Sequence, residues 1–121
     1  GAAAPVLKRN TQFKFIGTKD IWKWDAREGW YGKKLEMEIN PPQGVIGELY
    51  LHFEDWNNEG RDAKIWVEGR EFATGKLDKA GKWIKLFVMR EDTNDGKVHV
   101  KIESVAGSNA MISEVVFVET K

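Results

Sequence analysis

The residues best suited to ligand chemistry lie in one polar segment near the middle of the chain. Residues 55–61 read DWNNEGR, which places the indole of Trp56 among carboxylate, amide and guanidinium groups. An aromatic ring packs on a flat apolar face, and the neighbouring polar groups donate to and accept from a ligand's edge. The segment therefore indicates a binding site for a polar, flat-faced ligand, with Trp56, Asn57 and Asn58 as its first candidates.

The sequence gives little support for catalysis. Both histidines, His52 and His99, alternate with apolar residues that should face a core, so they are predicted to face outward on strands. No serine stands in a G-x-S-x-G motif, and the chain has no cysteine, which excludes disulfides, thiolate catalysis and thiolate metal sites. Residues 92–96, DTNDG, place glycine where a calcium loop needs its third ligand, so a tight hairpin turn explains them better. We therefore predict a protein that is not an enzyme.

Two alternating segments flank the polar connection and would position it. Leu49, Leu51 and Phe53 alternate with polar residues before it, and Ile65 and Val67 do so after it. This period of two predicts two antiparallel strands, joined by the connection, with the aliphatic residues on a buried face. Tyr50, His52 and Trp66 then fall on the opposite face, where they could be cross-strand neighbours.

The rest of the chain repeats this pattern of short alternating segments separated by glycine-rich turns. No long segment carries apolar residues at helical spacing, which favours a β-sandwich or barrel. Lys82 to Arg90 is apolar on both faces and is predicted to be a central strand. Ser113 and Glu114 break the alternation of the last strand and predict a β-bulge. Trp30 and Tyr31 lie in Ala26 to Gly32, which is predicted to be a glycine-bracketed loop.

Composition limits the class of protein and its partners. With 121 residues, 41% hydrophobic and 31% charged, the chain is predicted to be one soluble domain spanning residues 1–121. The 19 basic residues balance the 19 acidic ones, so no net field favours nucleic acid, and no apolar run is long enough for a membrane span. The chain opens at Gly1 and continues with three alanines. We expect residues 1–5 to be a tag scar or a flexible terminus, and the domain to be excised from a larger protein.

Several motifs occur in an order that resembles a known superfamily. They are the strand ELYLHFEDW ending at Trp56, Arg61, the turn VEG at 67–69, the strand entry GKW at 81–83, V-x-V-x-I after Gly96, and Asn109 before the last strand. Together they resemble the carbohydrate-binding modules of the galactose-binding-domain-like superfamily. These are jelly-roll sandwiches attached to glycoside hydrolases and other polysaccharide-active enzymes. The resemblance covers roughly the last 70 residues of the sequence.

The resemblance implies an all-β jelly-roll sandwich of about eight or nine antiparallel strands, with ligand-binding loops at one end. The candidates for ligand binding are Trp56, Asn57, Asn58, Trp30, Tyr31, Asn109 and Arg61. Asn109 could equally cap a turn, and Arg61 is expected to hold the loop through Asp55 or Asp62 more than to touch ligand. No cofactor is predicted. A structural calcium ion is compatible with the resemblance, which does not identify its ligands.

The function implied is that of a non-catalytic carbohydrate-binding or accessory module of a glycan-processing protein. Its partners would be a polysaccharide and a neighbouring catalytic domain, and its location would be secreted, periplasmic or at the cell surface. The alternative is a structural domain that packs against a catalytic neighbour without binding sugar, with its tryptophans at the interface.

Overall fold

A computed structural model describes residues 12–24 and 27–120, apart from the side chains of Trp24 and Arg27. The expectation for residues 1–5 lies outside this range. The strands of the described part are β1 (Phe13–Phe15), β2 (Asp20–Trp24), β3 (Arg27–Gly32), β4 (Lys34–Ile39), β5 (Gly47–Phe53), β6 (Asp62–Val67), β7 (Arg70–Ala73), β8 (Lys82–Val88), β9 (Val98–Ala106) and β10 (Ala110–Glu119).

The strands form two antiparallel five-stranded sheets. The first sheet has the order β1-β4-β9-β6-β7, and the second has the order β2-β3-β10-β5-β8. The chain passes from one sheet to the other at most of its connections, as in a jelly-roll sandwich. The predicted all-β sandwich is confirmed. The described part has ten strands instead of eight or nine, because residues 27–32 form β3 where a loop was predicted.

The core lies between the sheets and follows the alternation of the sequence. Leu35, Met37 and Ile39 on β4 face Leu49, Leu51 and Phe53 on β5, and each is at most 1% exposed. The inward residues of β9 are equally buried. Burying each such side chain stabilises the fold by about 1.5 to 3 kcal/mol. The predicted inward faces of these strands are confirmed.

The predicted pairing of the strands that flank residues 54–61 is wrong. Strand β5 lies between β10 and β8 in the second sheet, whereas β6 lies between β9 and β7 in the first. Tyr50 and His52 therefore face outward on one side of the sandwich and Trp66 faces outward on the other. The alternation of apolar and polar residues specifies which residues of a strand are buried. It does not specify whether the next strand pairs in the same sheet or lies in the opposite one, because both arrangements have the same alternation.

Strand β8 is an edge strand, so its predicted central position is also wrong. Leu86 and Val88 face the core, while Phe87 faces outward and is 62% exposed. The strand is apolar on both faces because its inward residues join the core and its outward residues join an outer face that is partly apolar.

The segment after β8 links the two sheets through a buried carboxylate. It forms a short 3₁₀ helix, Arg90–Asp92, and then turns at Gly96, whose N–H donates to the Thr93 carbonyl at 2.9 Å. This turn does not close a hairpin, because β8 and β9 belong to different sheets. Arg70, from the first sheet, donates to both oxygens of Asp92, with Nη2 to Oδ2 at 2.8 Å.

Asp92 is ionised in the folded state because its hydrogen bonds outweigh its burial. Burial alone would raise the pKa of this carboxyl, but the Arg70 guanidinium and the backbone N–H of Met89, 2.7 Å from Oδ2, hold the pKa below its usual 3.8. Asp92 therefore contributes its full stabilisation above pH 3.8, and this contribution is lost as the pH falls through the lower pKa of the folded state.

We expect Asp92→Asn to lower the free energy of unfolding at neutral pH by about 1 to 3 kcal/mol, because a charged hydrogen-bond acceptor is lost. The difference from the unsubstituted protein should shrink in strong acid, where Asp92 is protonated in both states. Urea denaturation at the two pH values measures this. Glu91→Gln, at an exposed carboxylate of the same 3₁₀ helix, is the control. A difference that stays constant with pH would contradict the assignment.

Candidate functional site

The connection between β5 and β6 begins with a tight turn that displays Trp56. The N–H of Asn58 donates to the carbonyl of Asp55 at 2.9 Å, and Asn58 has a φ of +53°, a left-handed conformation that asparagine tolerates. Trp56 occupies the first corner of this turn and is 55% exposed. The turn therefore presents a large aromatic side chain at one end of the sandwich.

A buried arginine holds this turn against the neighbouring loop. Arg61 is 4% exposed, and its Nη1 lies 2.8 Å from Oδ1 of the fully buried Asp55. Its Nε donates to the backbone oxygen of Asn109 at 3.1 Å and to the Asn109 side-chain oxygen at 3.2 Å. Of the two predicted partners of Arg61, Asp55 and Asp62, the structure shows the pairing with Asp55. The guanidinium thus joins residues 54–61 to residues 107–109.

Glu59 forms a second link between the same two loops. It accepts hydrogen bonds from the backbone N–H of Ser108 at 2.8 Å, from the Ser108 hydroxyl at 2.9 Å and from the Asn57 amide at 3.0 Å. The two Ser108 donors, followed by Asn57, lower the pKa of Glu59 to about 2. The carboxylate is therefore ionised, and the link intact, across the ordinary pH range.

These links separate the predicted loop residues into two groups. The side-chain oxygen of Asn57 accepts from Arg61 and its nitrogen donates to Glu59, while the side-chain oxygen of Asn109 accepts from Arg61. Asn57, Arg61 and Asn109 therefore hold the loops in place. Trp56, Asn57 and Asn58 are the members of the predicted set that this end exposes to solvent, and of these Asn57 is tied to Arg61 and Glu59.

Trp30 and Tyr31 do not lie in a loop, as predicted, but on strand β3. Trp30 faces inward, where its ring centroid lies 5.6 Å from that of Phe13 and 5.1 Å from that of Phe15, so it belongs to the core. Tyr31 faces outward. Gly29 lies within this strand and does not mark a turn. It is glycine because a Cβ there would clash with the Ile112 carbonyl oxygen and come within 2.7 Å of the Trp22 indole. A glycine inside a strand can therefore indicate that a neighbouring ring occupies the space of the missing side chain.

The outward side chains of the second sheet form a surface that we call the aromatic face. Its large members are Trp22, Tyr31, Tyr50, His52, Trp83 and Phe87. Met111 and Val116 also point away from the core, yet they are 5% and 3% exposed. They lie outside the shared core, so the outer side of this sheet buries apolar side chains as well. Sequence reasoning placed Tyr50 and His52 outward but missed Trp22 and Trp83 as their companions.

His52 is the main polar group near the middle of the aromatic face. Its ring centroid lies 4.9 Å from that of Trp83, and its Nδ1 lies 2.9 Å from Oγ of Ser113 and 3.3 Å from Oε1 of Glu54. A nucleophilic triad needs the hydroxyl on one ring nitrogen and the carboxylate on the other. Here the Ser113 hydroxyl and the Glu54 carboxylate both contact the same nitrogen, Nδ1. This geometry orients the imidazole but does not activate the serine. Ser113 lies at the predicted bulge, which a register shift between Ile112 and Glu114 confirms.

The outward side chains of the first sheet form a surface that we call the charged face. Its ion pairs are Lys14–Glu38, Lys34–Glu36 and Lys64–Glu71, and Nε2 of His99 lies 2.9 Å from Oε2 of Glu36. Trp66, the aromatic residue on this face, lies 4.4 Å under the ammonium of Lys101. Such a surface is typical of a sheet whose outer side faces water.

Within residues 12–24 and 27–120, no three histidine, aspartate or glutamate side chains are grouped closely enough to hold a metal ion. The helical structure described there is too short to cross a membrane.

We expect Arg61→Met to lower the free energy of unfolding by about 3 to 5 kcal/mol, because the fully buried Asp55 would lose its cation. Arg90→Met, which removes an exposed arginine, is the control and should change stability little. Denaturant titration of the two variants measures this. Equal losses would contradict the role given to Arg61.

No protein-family model matches this chain, and no curated protein does. Solved structures that align with it include TmCBM61 in complex with β-1,4-galactotriose, which is 13% identical, with a TM-score of 0.48 over 92% of this chain and 89% of that one. They also include the enzymatically active domain of bacteriophage CBA120 tailspike protein 4, which is 10% identical, with a TM-score of 0.48 over 92% of this chain and 19% of that one. At this level of similarity, the function of this chain has to be inferred from its own residues.

Proposed function

We propose that this protein is a non-catalytic carbohydrate-binding domain whose aromatic face contacts the glycan. The observation that carries the proposal is the contrast between the two outer faces of one sandwich. Both sheets have five described strands, yet one outer face bears three lysine–carboxylate pairs around a single indole, that of Trp66. Among the described residues, the other outer face bears one such pair, and its large aromatic side chains are Trp22, Tyr31, Tyr50, Trp83 and Phe87. Packing of the shared core does not require this difference, so a ligand is the better explanation.

The chemistry of the aromatic face suits a sugar. Indole and phenol rings such as those of Trp83 and Tyr50 pack on the C–H faces of a pyranose. Carboxylate and imidazole groups beside them, from Glu48 and His52, can pair with the hydroxyls at the edge of the ring. The rings of Trp83 and Tyr50 are half-buried and that of Phe87 is exposed, and a partly exposed apolar patch is a common mark of a binding site.

A structural contact with a catalytic neighbour is the alternative occupant of the aromatic face. The cores of protein interfaces are depleted in charged residues. Here Lys85 pairs with Glu48 at 3.3 Å, and Glu54 lies against His52, so charged and titratable groups lie among the rings. This mixture favours a hydroxylated ligand over an apolar protein surface.

The proposal extends to the setting of the domain. A polysaccharide partner would be met outside the cytoplasm, so we propose a secreted, periplasmic or surface location. The domain would act there as an accessory module of a glycan-processing protein, holding a catalytic neighbour near its substrate.

Trp83→Ala should weaken glycan binding at least about tenfold, or about 1.4 kcal/mol, because a stacking ring is lost from the aromatic face. Trp66→Ala is the matched control, since it removes a half-buried tryptophan from the charged face and should leave affinity unchanged. Affinity electrophoresis in gels containing xylan, glucomannan, galactan, laminarin or agarose measures both. Equal retardation of the two variants and the unsubstituted protein in a gel that retards all three would contradict the assignment.

Trp56→Ala tests the loop end separately. Trp56 lies on an exposed turn, so its removal should leave the fold nearly intact. If the loop end binds the glycan instead of the aromatic face, Trp56→Ala should weaken binding about tenfold while Trp83→Ala should not. The same gels decide between the two surfaces, with melting temperature as the check on folding.

A further inference from the structure

One row of residues crosses all five strands of the aromatic face. Trp22 on β2 pairs with Gly29 on β3, and at the other side of the sheet His52 on β5 pairs with Trp83 on β8. Between them, on β10, Glu114 pairs with His52 next to the bulge at Ser113. The row therefore carries an indole at each edge of the sheet and smaller groups between.

The two indoles are too far apart for one sugar ring to reach both. The Trp22 indole lies over Gly29 on β3, and β3 and β8 are separated by three strand spacings, which is about 14 Å along the sheet. A single pyranose is about as wide as one indole and can stack on only one of them. The Trp22 indole itself covers Gly29. Ser113, which lies beside His52, has a short side chain, so the row is lower between this indole and Trp83.

The charges of the aromatic face select against acidic glycans. Among the described side chains, the aromatic face carries the carboxylates of Asp20, Glu48, Glu54 and Glu114, whereas Lys85 supplies an ammonium. Carboxylates accept hydrogen bonds from sugar hydroxyls and repel uronate or sulfate groups at the same distance. A glycan that complements this surface therefore carries hydroxyl groups and no charge.

We infer that the aromatic face binds one extended, uncharged polysaccharide chain, which lies across the strands from Trp22 to Trp83. This inference rests on the proposed function and adds the class and the direction of the ligand. Trp22 and Trp83 are the two end contacts, and the groups between them, above all His52, bond the middle of the chain.

The test uses the folded domain and a neutral polysaccharide that retards this domain in the affinity gels described above. Isothermal titration with its oligosaccharides, from the disaccharide to the hexasaccharide, should show affinity rising at least about tenfold with length and then levelling off. Trp22→Ala and Trp83→Ala should each abolish most of this gain, whereas Trp66→Ala should retain it. The same polysaccharide with its primary hydroxyls oxidised to carboxylates, or alginate where the polysaccharide has no primary hydroxyl, should bind at least about tenfold more weakly.

Each outcome decides between the two proposals. A disaccharide that binds as tightly as the hexasaccharide would overturn the crossing chain while leaving carbohydrate binding in place. Preference for the oxidised polysaccharide or for alginate would overturn the selection of uncharged glycans. Binding of no neutral and no acidic polysaccharide would contradict the proposed function itself. The length series on the unsubstituted protein decides the matter even where Trp22→Ala fails to fold.

Discussion

The structure depends on one shared layer of aliphatic side chains between two sheets. Each strand can give only alternate residues to that layer, and residues such as Leu51 and Val100 are fully buried there. The remaining residues face outward, where core packing does not specify them. The composition of an outer face is therefore informative, because it reflects contact with water or with a ligand more than the needs of folding.

A buried charge imposes the second constraint. The guanidinium of Arg61 is removed from water and has to be satisfied by protein groups, which Asp55, Asn57 and Asn109 provide. The arginine thereby fixes the geometry of two loops and makes these polar side chains unsuitable as the main ligand contacts. Polar residues in a loop are thus weak evidence for binding when a buried ion of the same loop needs them.

The sequence predicted which residues would be buried and failed on how the strands are arranged. The inward faces, the bulge beside Ser113 and the pairing of Arg61 with Asp55 follow from local pattern, and the structure confirms them. Which sheet a strand joins depends on contacts between distant segments. The predicted neighbourhood of His52 and Trp66 and the central position of β8 failed for that reason. Gly29 was misread because a glycine at a turn and a glycine beneath an indole look alike in sequence.

The same limitation explains why the aromatic face could not be found from the sequence. Trp22, Tyr50 and Trp83 lie on three strands that are far apart in the chain and meet only through the order of the second sheet. Each taken alone is an outward aromatic residue, for which packing against a neighbour is a sufficient explanation. Brought to one surface above the buried Met111 and Val116, they form a layer that the core does not need. A second packed layer on the outside of a sandwich is more readily explained by a partner than by folding, and the polar groups within it suit a hydroxylated partner.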